Sequence, residues 1–365
     1  LARELIRHGA DVHAVISQAG TAIVHPNALQ FATGHEVDTR LDGSMRYLEM
    51  CGKGGKADLL LIAPGTSNTI SKIANGIDDT TVTTYAVNAL GSGLPILIAP
   101  AAHETMMDSP TVLANVKKLE GLGVEFLEPK REESKAKLAD LDEIVARVIR
   151  RLGPRDLQGK KVLVIAGSTV EPIDDIRVVS NRSSGGTGVE LARTAFEHGA
   201  DGQIWMGRHE VPLPSWILTK TFDTTADLAE MTSQIDADVC LVPAAIADFS
   251  PRKRKGKIPT RGGAFTLDLE PTPKVLGAIR KATKGVVVGF KAEAEVTAAQ
   301  LKAKAIALRK ESDLDFVVAN DVARVKRDAT AITIVDRTGR STTFEGSKTD
   351  AAEHVWSAIL HGVSG

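Results

Sequence analysis

The chain has 365 residues, 43% of them hydrophobic and 25% charged, and a formal net charge of −1. That balance suits two globular domains, each long enough to bury a core, and excludes a broad electrostatic footprint for nucleic acid or an acidic membrane surface. The only cysteines, Cys51 and Cys240, form no C-x-x-C pair, and no apolar run spans a bilayer, so a reducing cytoplasm is the expected compartment.

The first element is an amphipathic helix whose sequence recurs. Leu1-Ala2-Arg3 to His8-Gly9-Ala10-Asp11 is repeated as Leu191-Ala192-Arg193 to His198-Gly199-Ala200-Asp201, with seven of eleven positions identical. The repeat predicts two domains opening with the same strand, loop and helix. Only the second copy has a strand and glycine-rich loop ahead of it, so the first is expected to have lost both. The competing reading is chance likeness between two helices that end at a glycine.

Val12 to Ile16, Leu59 to Ala63 and Pro95 to Ala99 read as short buried parallel strands with helices between them, the pattern of a doubly wound α/β domain. Small polar loops follow two of these runs. One is Ala63-Pro64-Gly65-Thr66-Ser67-Asn68-Thr69 and the other Pro100-Ala101-Ala102-His103-Glu104-Thr105-Met106. Loops at successive strand ends mark the ligand edge of such a sheet, although either could be structural turn chemistry alone. His103 opens a helix, where a structural role competes with a catalytic one. Nine histidines without H-E-x-x-H or paired spacing predict no metal held by protein ligands alone. Pro129 to Asp140 is charged and reads as a surface segment, followed by a helix over Leu141 to Leu152. The Gly153-Pro154 break sets the boundary, giving domains 1–152 and 153–365.

The second domain restarts with Lys161 to Ile165, then Gln203 to Met206, Val239 to Pro243, Val286 to Phe290 and Phe316 to Ala319, alternating with helices. Ala331 to Val335 and Ser341 to Phe344 flank a turn and predict an antiparallel hairpin. The most informative stretch is Gly159 to Glu190. A strand leads into Gly167-Ser168-Thr169, an acidic loop, and Ser180-Asn181-Arg182-Ser183-Ser184-Gly185-Gly186 just ahead of a helix. Backbone N–H groups and small hydroxyls at a helix N-terminus favour an anion. An ordinary Gly/Ser loop competes, and the G-x-G-x-x-G spacing is absent.

Pro243 to Phe249 follows a buried strand with small residues, placing Asp248 to meet a ligand or a metal that the ligand carries; a capping role is equally open. Arg252 to Thr260 is densely basic and includes Lys257. A solvated surface run competes with neutralisation of a triphosphate, without a Walker lysine. Phe290 ends another strand, as a base-stacking or a core residue.

In order, APGTSNTISKIANGIDD, PAAHETMMDSP, AGSTVEPIDDIRVVSNRSSGGTGVELA, AAIADFSP followed by GKI, GFKAE and VVANDV resemble the bifunctional phosphopantothenoylcysteine decarboxylase and phosphopantothenate–cysteine ligase family of coenzyme A biosynthesis. The resemblance covers essentially the whole chain and is nearer to the archaeal branch. It implies two doubly wound three-layer domains, an N-terminal flavodoxin-like flavoprotein and a C-terminal Rossmann-like ligase. The ligase activates 4′-phosphopantothenate with CTP and Mg²⁺ or Mn²⁺ as an acyl-cytidylate, which cysteine then attacks. By motif, Asn181, Arg177 and Lys257 are the catalytic residues. Ala245, Asp248, Lys257 and Phe290 contact the nucleotide, with the metal near Asp248. Lys304 or Lys310 meets the triphosphate.

The same resemblance implies an FMN-dependent decarboxylase, in which the flavin oxidises the thiol so that CO₂ is lost easily. Thr66, Ser67 and Asn68 match flavin-binding positions, and His103 and Met106 the substrate side. The family's catalytic histidine belongs just ahead of the Ala57-Asp58 strand; Tyr47 stands there, and the nearest histidine, His35, is too early. Glu132 to Ala139 replaces the bacterial cysteine-bearing flap. The implied partners are small-molecule substrates and further copies of the chain, as ligase dimers and flavoprotein trimers in a dodecamer. One rival makes the N-terminal half a non-catalytic oligomerisation module. Another makes the protein a nicotinamide-dependent reductase, against which the missing fingerprint counts.

Overall fold

A computed structural model describes residues 1–132, 135–259, 265–321 and 329–362. The chain divides into two compact units, Leu1–Leu152 and Gly153–Gly365.

In the first unit, Leu60–Gly65, Ile96–Pro100 and Glu125–Phe126 form a parallel three-stranded sheet in that order. Side chains alternate across a strand, and this alternation sets the layers. Ile96 and Ile98 join the core that includes Ile70, Ile73, Ala86 and Leu119 from helices Ser67–Ala74, Thr81–Ser92 and Pro110–Gly121. Leu97 and Ala99 join Leu5, Ile144, Val145 and Val148 on the opposite face. Helices therefore cover both faces, which is the doubly wound arrangement that the sequence predicts.

Two expectations are corrected. Val12 to Ile16 is not a full strand: it makes a single parallel bridge, Val15 to Asp38, because no neighbouring strand among the described residues offers it a ladder. Pro129 to Asp140 is not merely solvated surface. Lys130–Glu132 and Lys135–Lys137 pair antiparallel, and the latter also pairs with Ala102–His103. Ala136 and Ala139 are buried there, so small residues seat the charged segment. Glu133 and Ser134 of the replaced flap, Thr260 of the basic loop and Val322 of the last motif lie outside the described residues.

The second unit is built on eight strands, in the order Leu218–Thr221, Asp201–Met206, Lys161–Ala166, Val239–Val242, Val286–Glu293, Phe316–Asp321, Ala329–Val335, Ser341–Ser347. The first six are parallel, and Ala329–Val335 pairs antiparallel with both Phe316–Asp321 and Ser341–Ser347, the latter pair being the predicted hairpin. Leu163, Ile165, Cys240, Val242 and Val287 pack on one face with helices Thr225–Met231, Val275–Ala282 and Ala298–Glu311. Helices Gly186–Glu197 and Lys348–His361 pair with each other, where buried Trp356 donates from Nε1 to the Leu191 carbonyl at 2.9 Å. Gly188 permits close seating of the first of these helices, since a Cβ there would lie 2.2 Å from that of Ala166. The winding reverses between Lys161–Ala166 and Val239–Val242, and the crevice beyond their C-terminal ends is where such sheets take ligands.

Candidate active site

At that crevice the backbone folds back in a fixed way. Gly167, at φ 79°, allows a turn against Gly207 and Arg208, whose atoms stand 2.8–3.0 Å from where a Cβ would begin. The Ser168 and Arg208 backbones exchange hydrogen bonds of 3.0 and 2.9 Å, and Ala245 N–H donates to the Gly167 carbonyl at 2.8 Å. Three strand ends thus meet at Ser168. Beside them lies a cleft of about 460 Å³ lined by Ser168, Ser180, Arg182, Ser184, Arg208 and Glu210, with Asn181 and Ser183 on the same wall. The helix Gly186–Glu197 opens at its edge, capped by Gly185 at φ 79°. Lys348 adds a cation, since its Nζ lies 3.5 Å from where a side chain at Gly186 would start. Helix N-terminus, hydroxyls and cations together suit a phosphate-bearing ligand.

The small residues after Val239–Val242 meet Asn181 directly. Its Nδ2 donates to the carbonyls of Ala245 and Ile246 at 3.5 and 3.3 Å. Behind this contact runs a buried polar relay. Ala247 N–H donates to Thr169 Oγ1 at 2.9 Å, the hydroxyls of Thr169 and Thr225 are 3.2 Å apart, and Thr225 Oγ1 donates to Glu171 Oε1 at 2.7 Å. Glu171 also accepts Thr225 N–H at 2.9 Å.

The acidic loop and the basic loop are clamped together. Asp174 accepts from the N–H groups of Ile258, Arg177 and Ile176 at 3.0, 2.7 and 2.8 Å, and those donors hold its carboxyl down to about 2. Arg177 donates to Asp174 at 2.9 Å and to the Ile258 carbonyl at 3.1 Å, so its guanidinium braces the two loops. Asp175 accepts from Gly256 N–H at 2.8 Å. Lys257 is exposed between two residues whose backbones are pinned. Asp248 is exposed and pairs with Lys274 at 3.2 Å.

Further along the edge, Phe290 is half-buried in the strand that ends at Glu293. Glu293 pairs with Lys304 at 2.5 Å and Lys291 at 3.1 Å, and the Lys304 bond lowers its carboxyl below the usual range. Helix Ala298–Glu311 starts at the ligand edge and runs back. Lys310 therefore sits roughly 9 Å farther from that edge than Lys304, at 1.5 Å per residue.

In the first unit, Gly65 ends its strand against Ile98, where a Cβ would lie 2.4 Å from Cγ2. Thr66 caps the eight-residue helix Ser67–Ala74 by accepting Thr69 N–H at 3.2 Å. Thr66 and Asn68 are exposed and Ser67 buried. Ala101 N–H donates to the Gly65 carbonyl at 3.1 Å, so the loop bearing His103 and Met106 lies beside that cap. Both of those side chains are exposed. Arg131 ties the short helix Glu104–Met107 to the neighbouring hairpin through Glu104 and Asp108 at 3.2 Å. Two adjacent strand ends with a helix N-terminus and exposed polar groups fit a phosphate-bearing flat cofactor. Tyr47 lies in helix Arg46–Cys51, edge-on to Tyr85 at 6.4 Å. Burial pushes the thiols of Cys51 and Cys240 up to about 11 and about 12, so neither is a nucleophile at neutral pH.

Sequence reasoning missed Arg208, Glu210 and Lys348. The signal for the first two was available, because Arg208-His209-Glu210 directly follows a predicted strand, the same position that singled out the other loops.

Fold and crevice together are those of a two-unit α/β protein whose strand ends suit anionic small molecules. Residues 1–153 match the flavoprotein family, and residues 157–363 match the DNA/pantothenate metabolism flavoprotein C-terminal domain. The chain is 42% identical over 368 residues to the coenzyme A biosynthesis bifunctional protein CoaBC of Thermococcus kodakarensis, covering 98% of this chain and 90% of that one. It is 31% identical to the Bacillus subtilis protein of the same name, covering 88% and 82%. The DNA/pantothenate metabolism flavoprotein of Streptococcus pneumoniae shares the fold, at 22% identity and a TM-score of 0.51 over 55% of this chain and 98% of that one. The chain belongs to the coenzyme A biosynthesis bifunctional protein family, and is an enzyme with a flavoprotein decarboxylase half and a ligase half. No helix among the described residues is long and apolar enough to cross a membrane.

Proposed function

We propose that the C-terminal unit joins 4′-phosphopantothenate to cysteine at the expense of CTP, and that the N-terminal unit decarboxylates the product with FMN. The observation that carries the ligase reading is the cleft at the sheet's reversal point, where a Gly/Ser loop, a helix N-terminus and the cations Arg182 and Arg208 converge. A carboxylate oxygen of phosphopantothenate attacks the α-phosphorus of CTP, and the bond to pyrophosphate breaks. The amine of cysteine then forms the C–N bond, and CMP leaves. Asn181 holds the acyl-cytidylate, with its Nδ2 already anchored on Ala245 and Ile246. Lys257 supplies charge to the phosphates from its pinned loop, and Arg177 keeps that loop in place. Asp248 faces the nucleotide and the Mg²⁺ or Mn²⁺ that it carries, and Phe290 flanks the base. Lys304 is the better placed of the two lysines for the triphosphate.

When bound, FMN supplies a two-electron acceptor for the thiol and returns the electrons after CO₂ leaves. Thr66, Ser67 and Asn68 would hold the flavin at the helix N-terminus, with His103 and Met106 on the substrate side. The family resemblance supports a cytoplasmic homo-oligomer built from ligase dimers and flavoprotein trimers.

The test is pyrophosphate release by purified protein with phosphopantothenate, cysteine and Mg²⁺, CTP against ATP, followed by measurement of CO₂. Release with CTP followed by CO₂ is expected. Release with neither nucleotide would overturn the ligase assignment, and ligation without CO₂ the decarboxylase one.

A further inference from the structure

We propose that Asp11, His13 and His35 form a binding site for one divalent transition-metal ion, Zn²⁺ fitting best, apart from the flavin edge of the N-terminal unit. Both imidazoles present Nε2 to a single carboxylate. His35 Nε2 lies 2.6 Å from Asp11 Oδ1, and His13 Nε2 lies 3.3 Å from Oδ2. One ligand atom from each residue falls within 4.8 Å of the others. The rings stack at 4.0 Å and 17°, so one ring must swing out of the stack for an ion to lie in the plane of both.

The backbone holds this convergence in place. Ile16 N–H donates to the Asp38 carbonyl at 2.9 Å and Asp38 N–H to the Ala14 carbonyl at 3.1 Å, which sets residues 13–16 alongside residues 35–38. His35 N–H donates to Thr33 Oγ1 at 3.2 Å, fixing its own position. Asp11 and His35 are 24 residues apart and meet only through that pairing, so no local motif marks the site.

Two imidazole nitrogens and one carboxylate oxygen are a zinc-type donor set, whereas Mg²⁺ and Ca²⁺ favour oxygen alone. Tetrahedral bonds of about 2.0–2.2 Å place ligand atoms roughly 3.2–3.5 Å apart. The 3.3 Å pair already meets that spacing. His35 meets the other oxygen, Oδ1, at 2.6 Å, so binding requires a rotation of the Asp11 carboxylate, 74% exposed, that brings one oxygen to both rings. His13 Nδ1 is buried with no hydrogen-bond partner among the described residues. No outer group locks this ring, which argues for moderate rather than very tight affinity. Three protein ligands leave a fourth position to water.

Among the described residues, no hydrogen bond or ion pair joins Asp11, His13 or His35 to Thr66, Ser67, Asn68 or His103. An ion there would cross-link two segments of the unit rather than serve the flavin.

Titration of the tag-free, chelator-treated full chain with ZnCl₂ in a calorimeter, without nucleotide, tests the proposal. One equivalent is expected to bind. His13→Ala and His35→Ala should each weaken binding at least about tenfold, while His361→Ala, on the surface of the other unit, leaves it unchanged. Absence of Zn²⁺ uptake by the wild-type chain, or equal uptake by both histidine variants, overturns the site. If an alanine variant misfolds, His35→Gln and protection of wild-type His13 and His35 from diethyl pyrocarbonate by Zn²⁺ decide the question; unprotected rings overturn it.

Discussion

Thr169→Val probes how the ligase loop is held. Each hydroxyl has one proton to give, and Thr225 gives its proton to Glu171. That proton faces Glu171 at 2.7 Å and Thr169 Oγ1 at 3.2 Å, so Thr169 Oγ1 acts in this relay as an acceptor, above all for the Ala247 N–H. Valine keeps the shape of threonine but removes the acceptor, leaving the Ala247 N–H without the partner it has at 2.9 Å. Ala247 and Thr169 are 7% and 0% exposed, so water cannot replace it. An unsatisfied buried amide costs about 1–3 kcal/mol. In a unit of this size that is a loss of roughly 2–4 °C in Tm per kcal/mol. All three tryptophans, Trp205, Trp216 and Trp356, lie in the second unit, so their fluorescence follows its unfolding alone. Because Ala247 adjoins the carbonyls that hold Asn181, CTP-dependent pyrophosphate release should fall as well, and Thr169→Ser should restore both properties. Wild-type stability and rate in Thr169→Val would refute the relay.

Three other outcomes follow from the same structure. Lys257→Gln should slow pyrophosphate release about 100-fold, the scale of losing one stabilising contact to developing charge, with the tryptophan unfolding midpoint unchanged; a wild-type rate removes Lys257 from the chemistry. Burial raises the Glu197 carboxyl from its ordinary 4.5 to about 7. The folded state therefore resists ionisation, and stability declines as pH rises from about 4.5 to about 7, by on the order of 3 kcal/mol. Glu197→Gln should match wild type at pH 4.5 and exceed it at pH 8 in denaturant titrations, and parallel curves would contradict the burial argument. Thr66→Val removes the cap on Ser67–Ala74, a loss of about 1 kcal/mol. It should lower the flavin absorbance retained on purification, and full retention would place the flavin elsewhere.

The parts of the site that were legible in the sequence are those carried by strand ends. A buried apolar run stops where its C-terminal loop begins, so Ser168, Asn181, Ala245 and Thr66 could be placed on the ligand edge from periodicity and small residues alone. The extended run Val12 to Ile16 misled because apolar periodicity reports burial and not pairing: a strand needs a neighbour, and this one has only the bridge to Asp38. Arg177 shows a different limit. Its place in the loop was legible, but its partners Asp174 and Ile258 lie at separations of 3 and 81 residues, and the longer one depends on how the basic loop returns. The lysine ambiguity has the same cause. Lys304 and Lys310 differ little in sequence, yet helix direction puts one near Glu293 at the ligand edge and the other at the helix's far end. What sequence withheld is thus the set of contacts made by tertiary closure, and these fix whether a charge is spent on bracing a loop, as in Arg177, or left exposed, as in Lys257.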